Sequence, residues 1–184
     1  AGPFTLGTAY AISGVGSITI NADGTYSFTP ASNYNGAVPV VTYATTDGSG
    51  VNDTSTLTLS VTAVNDDFTD ADETVAVAED SGANTGTLLS GTSSVDGPVT
   101  VASFSIAGEA GPFTLGTAYA ISGIGSITIN ADGIYSFTPA SNYNGTVPVV
   151  SYVLTDGSGA NDTSTLTLSV TPANDDSTDA DAAV

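Results

Sequence analysis

The side chains able to do chemistry in this 184-residue chain are carboxylates and hydroxyls: 19 Asp and Glu stand beside no Lys, Arg, His or Cys. Imidazole, thiol and amine are all missing, and with them the usual bases, nucleophiles and nitrogen or sulfur ligands. What remains is oxygen. Oxygen donors in clusters suit a hard cation such as calcium, which takes about six to eight of them in a flexible shell. The densest run is Asn65, Asp66, Asp67, Asp70 and Asp72, with Glu79 and Asp80 soon after. Asn174, Asp175, Asp176, Asp179 and Asp181 repeat that run, and Asp132 and Asp156 stand in Gly-containing turns between the two. All of these are candidate calcium ligands.

A net charge of −19 leaves the carboxylates without any side-chain cation to pair with. Crowded acids then raise one another's proton affinity and oppose compaction unless a cation from solution neutralises them. The same balance excludes nucleic acid and an anionic membrane surface as partners, because no side chain can neutralise a phosphate. Asp also begins turns, which is the plainer role for Asp132, Asp156 and their counterparts Asp23 and Asp47. That role explains the linker run less well. One Asn and four Asp within eight positions, 65 to 72, are more than one turn needs.

The elements that must position these acids are written twice. Ala1 matches Ala110 and Asn65 matches Asn174, an offset of 110 − 1 = 109 residues, close to the length of a small β-sandwich domain. Residues 1–75 and 110–184 differ at 12 positions, leaving 75 − 12 = 63 identities. Near-identical neighbouring copies favour an array in which the number of units matters over a chain with one special site.

Alternation of apolar and polar residues locates the strands. Phe4 and Leu6, then Tyr10 and Ile12, flank Gly7-Thr8 and predict a hairpin. Ile18 and Ile20 follow on one face, and Asn21 to Gly24 is a turn whose Gly supplies a positive φ. Tyr26 and Phe28, then Val41 and Tyr43, are expected to point inward. Leu57, Leu59 and Val61 alternate with Thr56, Thr58, Ser60 and Thr62, one dry face and one wet face. After Asn65 the text changes, with further strands expected near Val75 and Val77, over 85–90 and over 99–106. No run of ten residues has helical periodicity with caps, so the fold class is all-β, tandem antiparallel immunoglobulin-like sandwiches. Residues 66–174 then form one whole domain. Residues 1–65 lack its first three strands and should expose core edges, and 175–184 begin a third unit. No stretch of about 18 apolar residues and no basic N-terminal run is present, so neither a transmembrane helix nor a signal peptide is read.

The pattern GxxxINADGxYSFTPASNYNG, then VVxYxxTDGSG, then TSTLTLSVTxxND, resembles the bacterial immunoglobulin-like, cadherin-like extender repeats of large RTX adhesins secreted by type I systems. That resemblance implies a seven-stranded sandwich, calcium at domain junctions, export in unfolded form, and an extracellular place on a bacterial surface in adhesion or biofilm. Its partners would be neighbouring repeats of the same polypeptide, without membrane insertion. One departure concerns the loop GTSSVDGP, which offers only Asp96 where related repeats often carry several acids.

Other classes fit less well. A carboxylate pair can serve a glycosidase, yet the acids sit in turns and linkers and there is no Trp to stack on sugar, so catalysis is not expected. The ladder Thr54, Thr56, Thr58, Ser60 and Thr62 offers a hydroxyl face for sugar or ice, though Thr is a common strand former on any solvated face. The Asn-X-Thr triplets at Asn52, Asn144 and Asn161 carry little weight. A building block of an extracellular fibre, its incomplete first unit completed by a neighbouring chain in a homopolymer, is the main alternative to a calcium-stiffened spacer.

Overall fold

The computed structural model describes residues 4–174, and among them the chain is strands and turns with no helix. It divides into two compact units, Ala1–Val64 and Asn65–Val184. The first holds β1 (Tyr10–Ile12), β2 (Gly16–Ile20), β3 (Tyr26–Pro30), β4 (Gly36–Ala37), β5 (Val41–Thr46), β6 (Asn52–Leu57) and β7 (Ser60–Val61). These pair as an antiparallel sheet β1-β2-β3 and two separate antiparallel pairs, β4-β7 and β5-β6.

The second unit adds β8 (Glu73–Ala78), β9 (Asn84–Thr87) and β10 (Thr100–Ile106) before repeating the set as β11 (Tyr119–Ile121), β12 (Gly125–Ile129), β13 (Ile134–Pro139), β14 (Gly145–Thr146), β15 (Val150–Thr155) and β16 (Asn161–Thr171). One sheet runs β11-β12-β13-β9, and the other runs β10-β15-β16-β14 with β8 beside β16. The resemblance implied seven strands. Nine are present among the described residues, the short β11 and β14 making the difference. β8 lies parallel to β16, with Glu73 opposite Leu166 and Ala78 opposite Thr171, while the other pairings are antiparallel.

Sequence chemistry explains the turns. Gly133 N–H donates to the Asn130 carbonyl at 3.1 Å, Gly133 takes φ 80°, and the Asp132 carboxylate accepts from Ile134 N–H at 3.0 Å. The first copy repeats this at Asn21, Gly24 and Asp23. The expected opening hairpin does not form. Residues 4–9 are turn and coil, Tyr10–Ile12 pairs with Gly16–Ile18, and Gly7 N–H donates to the Ile20 carbonyl at 2.8 Å. The period of two in Phe4 and Leu6 does not make a strand here, because Gly7 N–H is taken by β2 and the segment does not fold back along Tyr10–Ile12. The second strand of the new text is also shorter than expected, Asn84–Thr87 rather than 85–90.

Both sheets of the second unit close over a core that includes Leu88, Ile127, Phe137, Tyr152, Leu154 and Leu166, all fully buried. The same residue types in the first unit meet water. Tyr26 is 50% exposed where its copy Tyr135 is 3%, and Tyr43 is 38% exposed where Tyr152 is 0%. Their expected inward placement holds only where β8, β9 and β10 lie over them.

Candidate functional site

The strand pairings carry the acids of the second unit to its two ends. Thr100 opens β10 opposite Thr155, and Val101 N–H donates to the Ala131 carbonyl, so the turns holding Asp96, Asp132 and Asp156, with Asp162 at the start of β16, share the leading end. The first residues of the unit tie into these turns. Asp66 N–H donates to Asp96 Oδ2 at 2.7 Å, and Asn65 Oδ1 lies within hydrogen-bond reach of the Ser158 hydroxyl. Asp156 is buried, and its carboxylate accepts from Ser158 N–H at 2.9 Å, Ser158 Oγ at 2.6 Å and Ser94 Oγ at 2.6 Å. The Ser158 and Ser94 hydroxyls hold its proton affinity below the ordinary carboxylate range.

A second group lies one step further in. Asp70 N–H donates to Asp162 Oδ2 at 2.6 Å, and Thr165 N–H donates to Asp72 Oδ1 at 2.8 Å. Asp70 accepts from the Thr92 hydroxyl. The buried Tyr152 hydroxyl lies 2.9 Å from Asp70 Oδ2 and also within reach of Glu73 Oε2. One phenol carries one proton, so it can satisfy only one of these carboxylates when both are ionised. Burial pushes Glu73 toward holding its own proton, the negative charges of Asp70 and Asp72 push the same way, and the Tyr152 contact opposes them. Burial, followed by the hydrogen bond to Glu73, likewise keeps Tyr152 protonated.

At the trailing end Glu79 is buried. Its carboxylate accepts from Ala173 N–H at 2.7 Å and from Asn144 Nδ2 at 2.9 Å, while its own N–H donates to the Thr171 carbonyl. Asp80, at φ 56°, accepts from Asn142 N–H at 2.9 Å. Glu79 and Asp80 therefore clamp the Asn142–Asn144 corner to the end of β16. Asp67, Asp132 and Asn174 are exposed. Asp175, Asp176, Asp179 and Asp181 lie outside the described residues.

A calcium ion fits this chain in donor type, since carboxylate, amide and hydroxyl oxygens are its ligands. The fit in arrangement is looser: among the described residues no group of three or more acids is gathered as for a metal. Among the described candidates, the carboxylates of Asp70, Asp72, Glu79, Asp80, Asp132 and Asp156 are instead engaged by N–H and O–H donors, and every buried side-chain N or O described has a partner.

Glu73, Asp162, Tyr152, Thr92, Ser94 and Ser158 were not among the candidates. For Glu73 the signal was present. Glu73, Val75, Val77 and Glu79 share the inward parity of β8, so two carboxylates bracket an apolar stripe, and reading them only as part of an acidic run hid that.

Residues 65–172 match the family model for a bacterial cadherin-like domain, and residues 4–62 match a cadherin-like domain model. No curated protein matches. Among solved structures, an endo-fucoidan hydrolase from glycoside hydrolase family 107 aligns at TM-score 0.35 and 14% identity, over 90% of this chain and 23% of that one. The chain thus spans under a quarter of that enzyme's length, and so loose a likeness carries no activity over.

Proposed function

This chain belongs to the bacterial cadherin-like domain family, and on that premise we propose that it is a calcium-rigidified extender of a bacterial cell-surface adhesin. In this reading the repeats work in series outside the cell and hold a ligand-binding region away from it, with no catalysis and no ligand of their own. The observation that supports it best is repetition joined to acid placement. The same text occurs twice, 63 of 75 positions being identical (75 − 12), and the acids of the second unit collect at its two ends, where a repeat would meet its neighbour.

Asn65, Asp66, Asp96 and Asp156 are the oxygen-bearing residues nearest one another at the leading end; they are not gathered into a ready site, so calcium would have to draw them together there. The ion would supply the positive charge that the sequence lacks. The protein's own part is to bring the oxygens near one another: β10 and β15 place the Asp96 and Asp156 turns side by side, and the Ser94 and Ser158 hydroxyls orient the Asp156 carboxylate. Stiffening follows because a bound cation stabilises only the state in which those turns are assembled.

Calorimetry with calcium and with EGTA tests the reading, and small-angle scattering follows the same titration. Calcium is expected to raise the melting temperature and narrow the distribution of interatomic distances. Equal stability and equal scattering in both conditions would remove the metal from the proposal. Near-identical tandem copies also suit a second reading, a structural subunit of an extracellular fibre. Sedimentation separates the two, since a spacer stays monomeric at micromolar concentration and a fibre subunit assembles with a fixed repeat.

A further inference from the structure

Residues 65–72, which lead into β8, contain no strand, and among the described residues no backbone-to-backbone hydrogen bond holds them. Side chains hold them instead. Asp66 and Asp70 N–H donate to the Asp96 and Asp162 carboxylates, Asp72 accepts from Thr165 N–H, and Asp70 accepts from the Thr92 and Tyr152 hydroxyls. Two of these bonds set one acid beside another, and the sequence has no cationic side chain to relieve them. The polar contacts of the run therefore work partly against one another.

One residue of the run differs in kind. Phe68 is buried, and its ring belongs to the same apolar core as Tyr152, Leu154 and Leu166. It stands midway between the two donating amides, two residues after Asp66 and two before Asp70. Burial of a ring draws on the apolar area removed from water and needs no counter-ion. The equivalent text at 174–181 is identical at seven of eight positions, with every Asn, Asp and Thr kept and Ser177 in the place of Phe68. The two runs therefore share their oxygens and differ in the one large apolar side chain.

We propose that Phe68 is the anchor that seats residues 65–72 on the second unit without a cation. The ring fixes the middle of the run in the core, and the amides of Asp66 and Asp70 on either side of it are thereby brought to Asp96 and Asp162. An acidic run with no such ring has only its mutually repelling carboxylates to hold it. One consequence rests on the spacer reading: a joint with Phe at this position is seated with or without calcium, while a joint with Ser is seated only when calcium neutralises its acids. Position 68 then sets how far the stiffness of a joint depends on the ion. The seating by Phe68 itself is apolar and stands without that reading.

Backbone order parameters from nitrogen-15 relaxation on the 184-residue chain test it in EGTA, with the parent, Phe68→Ser and Phe68→Leu. Phe68→Ser gives residues 65–72 the text of 174–181. In EGTA the parent is expected to show order parameters of about 0.85 over 66–72, and Phe68→Ser to fall below about 0.6 there while β12 and β13 stay at about 0.85. Phe68→Leu keeps an apolar side chain and is expected to stay with the parent. A flexible run in the parent overturns the proposal, as does a rigid run in Phe68→Ser, or a run as loose in Phe68→Leu as in Phe68→Ser. Loss of order in β12 and β13 together with 66–72 overturns it too, because Phe68 would then hold the whole unit and not the run. The same spectra in calcium decide the consequence: under the spacer reading Phe68→Ser regains the parent's values over 66–72. If it does not, that reading loses its support and the anchor, settled in EGTA, remains.

Discussion

Glu73 concentrates the electrostatic problem of the whole chain in one side chain. It is half-buried against Tyr152, with Asp70 on the same hydroxyl and no cationic side chain anywhere in the sequence. Burial, with Asp70 and Asp72 adding to it, raises its pKa above the ordinary 4.5, so the folded state holds this proton more tightly than the unfolded chain does. Stability therefore falls as pH rises through the folded titration of Glu73. Glu73→Gln is expected to melt higher than the parent at neutral pH in EGTA, and the gap is expected to close as pH drops below 4.5. Melting curves of the two chains from about pH 3 to about pH 8 check this. An unchanged gap across that range would mean that Glu73 is not strained by its neighbours. Asp156 has the opposite sign. Its pKa is lowered first by Ser158 and then by Ser94, so its contribution is present above 3.8 and is lost as pH falls through its folded value.

Among the strands, β15 and its copy β5 differ where it matters most. Val153 and Leu154 replace Ala44 and Thr45, and Leu154 is in the core. Leu154→Thr is expected to destabilise the second unit by about 2–5 kcal/mol, the range for truncating a buried leucine, as read by urea denaturation. A cost below about 1 kcal/mol would mean that this part of the core collapses freely. Pairing with β8 makes a separate, local difference. The amides of 166–171 face a parallel partner and those of 57–62 do not, so hydrogen exchange is expected to be slower by orders of magnitude in the former, the sequences being identical. Equal protection would show that β8 adds little to β16. These pairs also mark how far the sequence could be read. The alternation in Leu166, Leu168 and Val170 places β16 without help, and the Asn-Ala-Asp-Gly turns are legible because glycine meets a positive φ there. Phe4 and Leu6 show the same alternation and form no strand, since periodicity does not say where the following backbone finds its partner, and Gly7 N–H finds the Ile20 carbonyl of β2. Parallel pairing of β8, and the meeting of Glu73 with Tyr152 across 79 residues, are set by tertiary packing that a local pattern does not carry.

For the whole molecule, calcium and simple screening make different predictions. With 19 acids uncompensated, any salt relieves long-range repulsion, and the Debye length of about 8 Å near 0.15 M ionic strength already removes most of it between exposed carboxylates. A bound ion does more, because it acts on the groups that the fold brings together and is absent from the unfolded chain. A site with a dissociation constant of about 10⁻⁴ M adds about 2.7 kcal/mol at about 10 mM calcium. For a domain of this size that is a rise of about 10–20 °C in melting temperature. Calorimetry in calcium chloride is therefore expected to exceed sodium chloride of matched ionic strength by that amount. The gain is expected in the transition of residues 65–174, which contain the engaged carboxylates, and not in that of residues 4–62, whose core is uncovered. Replacing Asp156 with Asn is expected to remove most of the difference while leaving the sodium curve's slope with salt intact. If sodium chloride reproduces the whole effect, the acids act only as a diffuse surface charge, and the stiffness of a surface tether would have to come from the strands alone.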